Sequence, residues 1–216
     1  MKKIVKTSIT GLFIALFTLT SCSDEDVIGS KVTIYPIITV SGESLTVLTE
    51  GDTYTELGAK SLAGEQELEV TTTGTVDTNT PGVYNIYYTS LNDDGFSTEK
   101  RRTVIVLSKE PSAINLEGTF FRSGNANVIT RVSDRLYRAS NAGGLLVSTP
   151  NDAKNLLAVR FYNIDDKHLY IPYQENSSQS GVAVESNIGT IVSENEFNYV
   201  LTASGVYGTA LRVFKR

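Results

Sequence analysis

After residue 31 the hydrophobic and polar positions of this chain mark out one short strand after another. Val32-Thr33-Ile34-Tyr35-Pro36-Ile37-Ile38-Thr39-Val40 is rich in β-branched and aromatic residues. Pro36 within it marks an edge strand or a bulge, because proline has no N–H to give a ladder. Ser41-Gly42-Glu43-Ser44 reads as a turn, Leu45 to Leu48 as a short strand and Glu50-Gly51-Asp52 as another turn. Leu68-Glu69-Val70-Thr71-Thr72-Thr73 alternates. Val83-Tyr84-Asn85-Ile86-Tyr87-Tyr88 follows the tight corner Thr80-Pro81-Gly82. Asn92-Asp93-Asp94-Gly95 predicts a hairpin turn, since Asn, Asp and Gly tolerate positive φ. Arg102-Thr103-Val104-Ile105-Val106-Leu107 closes the set. Short strands with turns about every 8 to 12 residues predict a β-sandwich over residues 31–109.

Lys109-Glu110-Pro111-Ser112 opens the expected linker, residues 110–114, with Pro111 stopping the strand. Beyond it the strands come closer together. Leu116–Arg122, Val128–Val132, Leu136–Ala139, Leu145–Val147, Leu156–Tyr162, His168–Pro172, Gly189–Val192, Glu196–Thr202 and Ala210–Phe214 all read as strands joined by short turns. Sequential strands with short links are usually neighbours, so residues 115–216 are expected to form an antiparallel meander that curls or closes into a barrel. No window keeps a helical spacing, and the expected fold class is all-β.

Residues 1–21 have a different character. Lys2, Lys3 and Lys6 precede an apolar run from Ile9 to Leu19, and small residues lead to Cys22, the only cysteine. That pattern is a secretory signal. The run is too short to span a bilayer, which takes about 20 residues. Leu19-Thr20-Ser21-Cys22 resembles the lipobox of bacterial lipoproteins. The resemblance implies that the Cys22 thiol takes a diacylglycerol, that cleavage precedes it, and that the mature chain is lipid-anchored in the outer membrane. Acyl chains contribute about 0.8 kcal/mol per buried CH2, so several on one cysteine hold firmly. Ser23-Asp24-Glu25-Asp26, at the start of the tether 22–30, resembles the surface-export signal of Bacteroidota lipoproteins and implies cell-surface exposure. A plain solvated acidic tether is the other reading.

Charge narrows the partners. The signal holds three of the 19 basic residues and none of the 24 acids, so 16 and 24 remain, a net charge of −8. No nucleic-acid partner is expected, because that calls for a concentrated basic face. Lys100-Arg101-Arg102 is the one basic run; it lies in a strand, where alternate side chains face opposite ways, and reads as a solvated edge. With Cys22 lipidated no disulfide forms, and stability must come from apolar cores. There is no Trp and a single His, which leaves little room for His-rich metal sites or a His-dependent triad. Eleven Tyr and eight Phe favour strands.

Glu50-Gly51-Asp52-Thr53-Tyr54-Thr55-Glu56-Leu57-Gly58-Ala59, then Thr73-Gly74-Thr75-Val76-Asp77-Thr78-Asn79-Thr80-Pro81-Gly82-Val83-Tyr84, then Tyr88, resemble a bacterial immunoglobulin-like domain of the type also found in pesticidal crystal proteins and many surface lipoproteins. The resemblance covers about residues 38–108. Leu57 stands where that family more often has proline, and the acidic stretch after Ala59 is short, which argues against calcium there. Tyr84 fits a tyrosine corner: Gly82 permits the turn, and the hydroxyl reaches a nearby backbone group while the ring packs inward. Tyr84→Ala is expected to cost ~3 kcal/mol or more, as a buried aromatic deletion does. The C-terminal half, through Gly118-Thr119-Phe120, the stretch Val128 to Tyr137, and Gly143-Gly144, resembles the small C-terminal β domains of Bacteroidota surface lipoproteins.

Candidate chemistry is sparse. His168, beside the expected turn Ile164-Asp165-Asp166-Lys167, reads as a solvent-facing turn residue, since no motif places a catalytic partner. Asn92, Asp93 and Asp94 carry calcium-type oxygens but lack the longer spaced series of calcium loops, and turn chemistry explains them. Paired carboxylates of a glycosidase cannot be located by spacing among Glu175, Glu185, Glu194 and Glu196. No G-x-S-x-G elbow and no glycine-rich phosphate loop occur. Tyr162, Tyr170 and Tyr173, followed by Gln174, Asn176 and Gln179, have the composition of a glycan platform of aromatic faces beside amides. The plainer reading, that the tyrosines fill a sheet face, is the favoured one. The expectation is a non-catalytic surface lipoprotein without cofactor or metal, an accessory glycan-binding protein with an Ig-like spacer. A protein–protein or adhesion module of an outer-membrane complex is the alternative, and a hydrolase would need a cleft with convergent carboxylates.

Overall fold

The computed structural model describes residues 32–202 and 208–216. The signal 1–21, Cys22 and the tether 22–30 lie outside the described residues. The N-terminal half holds β1 (Ile37–Val40), β2 (Leu45–Thr49), β3 (Ala59–Ala63), β4 (Gln66–Leu68), β5 (Thr71–Thr73), β6 (Gly82–Leu91) and β7 (Ser97–Leu107). They make two sheets, β1-β3-β4 and β2-β7-β6-β5. β2 runs parallel to β7, with Leu45 opposite Thr103. The long β6–β7 hairpin turns at Asn92–Gly95 as the sequence predicts. The Phe96 N–H donates to Asn92 Oδ1 at 2.8 Å, and Gly95 sits at φ +85°. Ile38, Ile86 and Tyr88 fill the sandwich, with Val40, Ala59, Val70 and Val76 packed against them.

Two elements depart from expectation. β3 is Ala59-Lys60-Ser61-Leu62-Ala63, a segment of mostly weak strand formers that pairs between β1 and β4. The alternating run 68–73 is not one strand: β4 ends at Leu68, and β5 begins at Thr71 in the other sheet. The tyrosine corner forms, with the Tyr84 hydroxyl donating to the Thr80 carbonyl at 2.8 Å. Its ring lies against Gly82 and is only half-buried, so it is not the enclosed aromatic the sequence suggested.

The C-terminal half holds β8 (Gly118–Arg122), β9 (Asn125–Arg131), β10 (Leu136–Ala139), β11 (Val159–Asn163), β12 (His168–Tyr170), β13 (Gly189–Ser193), β14 (Glu196–Val200) and β15 (Leu211–Lys215). Each pairs antiparallel with the next, and β15 returns to β8 through Lys215 and Phe121, closing an eight-stranded barrel. Eight strands leave an interior just wide enough for side chains. Aromatic rings fill this one. Phe197 lies 4.8 Å from Phe120, 5.3 Å from Phe214 and 6.3 Å from Phe161, centroid to centroid. Leu145–Val147 is not a strand. It belongs to the β10–β11 connection, which carries one helical turn, α1 (Pro150–Ala153), closed by a Thr149/Asp152 capping box.

The sheet β2-β7-β6-β5 is covered on both faces. Its outer face sends Leu45, Val83, Ile105 and Leu107 against Tyr162, Ile164 and Tyr170 of the barrel. The Ser108 N–H donates to the Ile164 carbonyl at 2.8 Å. Residues 110–114 are tied to the barrel as well: Arg135 donates to the Glu110 carbonyl at 2.7 Å, and the Tyr137 hydroxyl to the Ile114 carbonyl at 3.2 Å. Ile34–Arg216 cluster as one compact unit. The basic run is therefore not a solvated edge. Only Lys100 is exposed; Arg101 reaches across the seam to the barrel, and Arg102 points into the sandwich and is 2% exposed.

Candidate functional site

Alternation along β12 turns Leu169 inward and Tyr170 outward, beside its register partner Tyr162 on β11. Outward here means toward the sandwich rather than solvent. Tyr170 is 4% exposed, and its hydroxyl donates to Glu185 Oε1. Glu185 also accepts two hydrogen bonds from Arg101, at 2.8 and 2.9 Å. Burial pushes the Tyr170 phenol up, and the Glu185 carboxylate pushes it further. Tyr162 is half-buried, and its phenol too is raised by burial. Both tyrosines fill a sheet face, as the plainer reading of the sequence held, and the platform of three is not assembled. Gln174 is committed elsewhere as well. Its Oε1 accepts from the Arg160 N–H and its Nε2 donates to the Arg160 carbonyl, both at 2.8 Å, which splices the loop to β11. Asn176 is exposed in a left-handed conformation, φ +52°, within the following loop.

Tyr173 has a different place. It is 53% exposed and stands on the wall of a cleft of about 410 Å3 at the seam. The sandwich lines this cleft with Ser44, Leu45, Lys100, Arg101 and Thr103, and the barrel with Pro172, Tyr173 and Glu175. A free aromatic face therefore sits beside a hydroxyl, an ammonium and a carboxylate. That combination suits a ligand with an apolar face and several hydroxyls.

The remaining candidates do not converge on a second site. His168 is exposed, with Nδ1 2.8 Å from Asp165 Oδ2, a partner that no spacing motif had placed. The same carboxylate accepts the Lys167 and His168 N–H groups at 2.7 Å each, so the pair closes the β11–β12 turn. Burial raises the Asp165 carboxyl, but these hydrogen bonds and the histidine outweigh it and hold it low. Glu194 accepts the Asn115 N–H at 3.1 Å, and Glu196 pairs with Lys215 at 3.0 Å. Among the described residues no group of three or more His, Cys, Asp or Glu gathers to hold a metal.

Sequence reasoning missed a polar cluster inside the sandwich. Glu56 accepts from the hydroxyls of Tyr54 and Tyr88 and, at 2.6 Å, from the Gly58 N–H. Arg102 Nη1 lies 3.3 Å from Glu56 Oε1, and Arg102 also donates to the Ser41 carbonyl. Burial raises the Glu56 carboxyl, but the two phenols, the Gly58 N–H and the Arg102 guanidinium bring it below the usual glutamate value. The signal available was alternation, which puts Arg102 on the same face of β7 as the buried Val104 and Val106.

No curated protein matches the chain. Among solved structures, a lipoprotein from Bacteroides thetaiotaomicron is 18% identical over 84% of this chain and 100% of its own, with a TM-score of 0.36. The CBM51-2 and INT domains of Clostridium perfringens ZmpB, in complex with GlcNAc, are 12% identical over 83% of this chain, which spans 43% of theirs, with a TM-score of 0.31. The M60 catalytic domain with CBM51-1 and CBM51-2 from the same protein is 11% identical over 85% of this chain and 21% of its own length, TM-score 0.27. At these scores the likeness says nothing of what the chain binds. Residues 38–106 match the family described as bacterial surface protein, Ig-like domain, so the N-terminal sandwich is of the Ig-like type found in bacterial surface proteins.

Proposed function

We propose that this chain is a non-catalytic surface lipoprotein, anchored in the outer membrane through Cys22, that binds glycan in the seam cleft. Tyr173 carries the reading: an aromatic face, 53% exposed, beside Ser44, Lys100 and Glu175 in a cleft of about 410 Å3. Sugar rings offer C–H faces to such a ring and hydroxyls to such polar groups. The match of residues 38–106 to a bacterial surface family supports a cell-envelope location. The residues that line the cleft include one carboxylate, Glu175, whereas glycoside hydrolysis takes a pair, which supports the non-catalytic reading. A net charge of −8 beyond the signal supports the exclusion of nucleic acid.

The test is a glycan array probed with the detergent-solubilised full chain and its Tyr173→Ala and Tyr170→Phe variants. Specific binding that Tyr173→Ala loses and Tyr170→Phe keeps is the expected result. Silence across the array overturns the reading. It would favour a protein partner of an outer-membrane complex instead, for which the exposed Val128, Leu146 and Val147 of the barrel are the candidate contacts.

A further inference from the structure

Three segments meet at one end of the sandwich, where the chain enters it. Residues 34–37 lead into β1; the turn at Gly64 joins β3 to β4; the Asn92–Gly95 turn joins β6 to β7. Asn92 Nδ2 donates to the Ile34 carbonyl at 2.8 Å, Thr98 to the Pro36 carbonyl at 2.8 Å, and Gln66 to Asp93 at 3.4 Å. Ile34 lies over Gly64. The Tyr35 and Phe96 rings meet edge to face at 5.0 Å. Ile37 and Leu62 are register partners, so their side chains stand together on the outer face. Ile34, Tyr35, Ile37, Leu62 and Phe96 are all exposed there, from 41% for Phe96 to 68% for Ile37. Five large apolar side chains are thus bare at one end, where a soluble surface usually scatters such residues singly.

We infer that this end of the sandwich rests on the lipid surface that holds the anchor. The inference depends on the proposed lipidation of Cys22. Twelve residue steps separate Cys22 from Ile34. A chain spans at most about 3.6 Å per residue, so the patch lies within about 43 Å of the anchor whatever path the tether takes. Tyrosine and apolar side chains at the rim of a domain settle at the headgroup level, each burying area at the acyl boundary. Charge selects the kind of surface. Segments 34–37, 62–67 and 91–97 contain Glu65, Glu67, Asp93 and Asp94 and no lysine or arginine. Against these four acids stands Lys60, which shares the outer face of β3 with Leu62, so a zwitterionic surface suits this end better than an anionic one. Seated so, the anchor and the patch hold the sandwich at two points, and the sandwich turns from a swinging spacer into a fixed foot.

The test uses the full chain, matured in cells and reconstituted in phosphatidylcholine vesicles. Cys22 is the only native cysteine, so once its thiol carries lipid an introduced cysteine is the sole labelling site. Phe96→Cys and Leu62→Cys place an environment-sensitive dye on the patch. Asp52→Cys places it on the Glu50–Asp52 turn, beside the Leu107 end of β7 and the full strand length away. Dyes at positions 96 and 62 are expected to be quenched several-fold more by nitroxide lipid than the dye at position 52. Equal or absent quenching at the three positions overturns the inference while leaving the anchor intact. Labelling of the native chain at Cys22, with failure to float with the vesicles, removes the anchor and the inference together. Energy transfer between dyes at position 96 that rises with chain density and outlasts dilution with lipid would give the patch to a second copy, and also overturns it.

Discussion

Replacing Glu56 by alanine removes the carboxylate that faces the buried Arg102. Four interactions go at once: the Tyr54 and Tyr88 hydroxyls, the Gly58 N–H and the guanidinium at 3.3 Å. Removing one partner of a buried ion pair costs about 3–5 kcal/mol, because the other charge stays buried and unpaired. The Glu56 side chain is 26% exposed while Arg102 is 2% exposed, so water reaches the vacated side of the pair but not the rest. That places the loss at the lower end, about 3 kcal/mol. In a unit of this size such a loss lowers Tm by roughly 6–12 °C. Arg102→Met in the Glu56→Ala background removes the stranded charge and is expected to recover part of the loss, since apolar replacement of a buried pair is often neutral. Acid narrows the difference. The folded Glu56 carboxyl lies below its ordinary value of 4.5, so its contribution is fully present above that pH and fades as pH falls through the folded value. Melting followed by circular dichroism at neutral pH and near pH 3 measures all of this. A Glu56→Ala chain that melts within about a degree or two of the native chain at neutral pH would mean that Arg102 does not depend on this carboxylate.

Other substitutions probe other parts of the fold. Gly189→Ala should cost about 1–3 kcal/mol by overpacking, because a Cβ there would sit 2.4 Å from the Asn198 carbonyl oxygen and 2.8 Å from the Tyr199 side chain; urea unfolding that matches the native chain would contradict this. Glu185→Ala leaves Arg101 and the buried Tyr170 hydroxyl without their shared acceptor and should lower stability by about 2 kcal/mol, while Tyr170→Phe costs no more than about 1 kcal/mol; equal losses in denaturant titrations would mean the seam does not depend on the carboxylate. Tyr84→Phe removes one hydrogen bond to the Thr80 carbonyl and should cost about 1 kcal/mol, with Tyr84→Ala nearer ~2 than the cost of a fully enclosed ring; a Tyr84→Ala melting temperature equal to that of the native chain would dismiss the corner as a source of stability.

Much of the strand order could be read from alternation. Glu196-Phe197-Asn198-Tyr199-Val200 puts two aromatics on one face, and that face is the barrel interior. Pairing of each strand with the next followed from the short links. What alternation cannot supply is the object lying beyond a face. Alternation sets Tyr162 and Tyr170 on the face opposite Phe161 and Leu169, but what covers that face is a sheet some 60 residues earlier in the chain. The sequence did hold a signal for that cover. Val104-Ile105-Val106 runs apolar without alternating, which a strand buried on both faces does. β3 was illegible because Ala, Lys and Ser have little strand preference of their own and the neighbouring strands supply the ladder. Leu145–Val147 misled for the opposite reason: an apolar run of three residues carries too little periodicity to tell strand from loop. Of the three candidate tyrosines, Tyr173 alone has the exposure the glycan reading needs, because it follows Pro172 just past the end of β12, at the rim of the seam.

Calorimetric titration of the full chain and of Tyr173→Ala with the glycan found on the array decides whether the seam cleft is the binding site. Loss of an aromatic anchor weakens a complex by about 2 kcal/mol or more, so Tyr173→Ala should raise the Kd at least tenfold, with the melting temperature unchanged because the ring is exposed. An unchanged Kd in Tyr173→Ala would contradict it and place recognition away from the seam cleft.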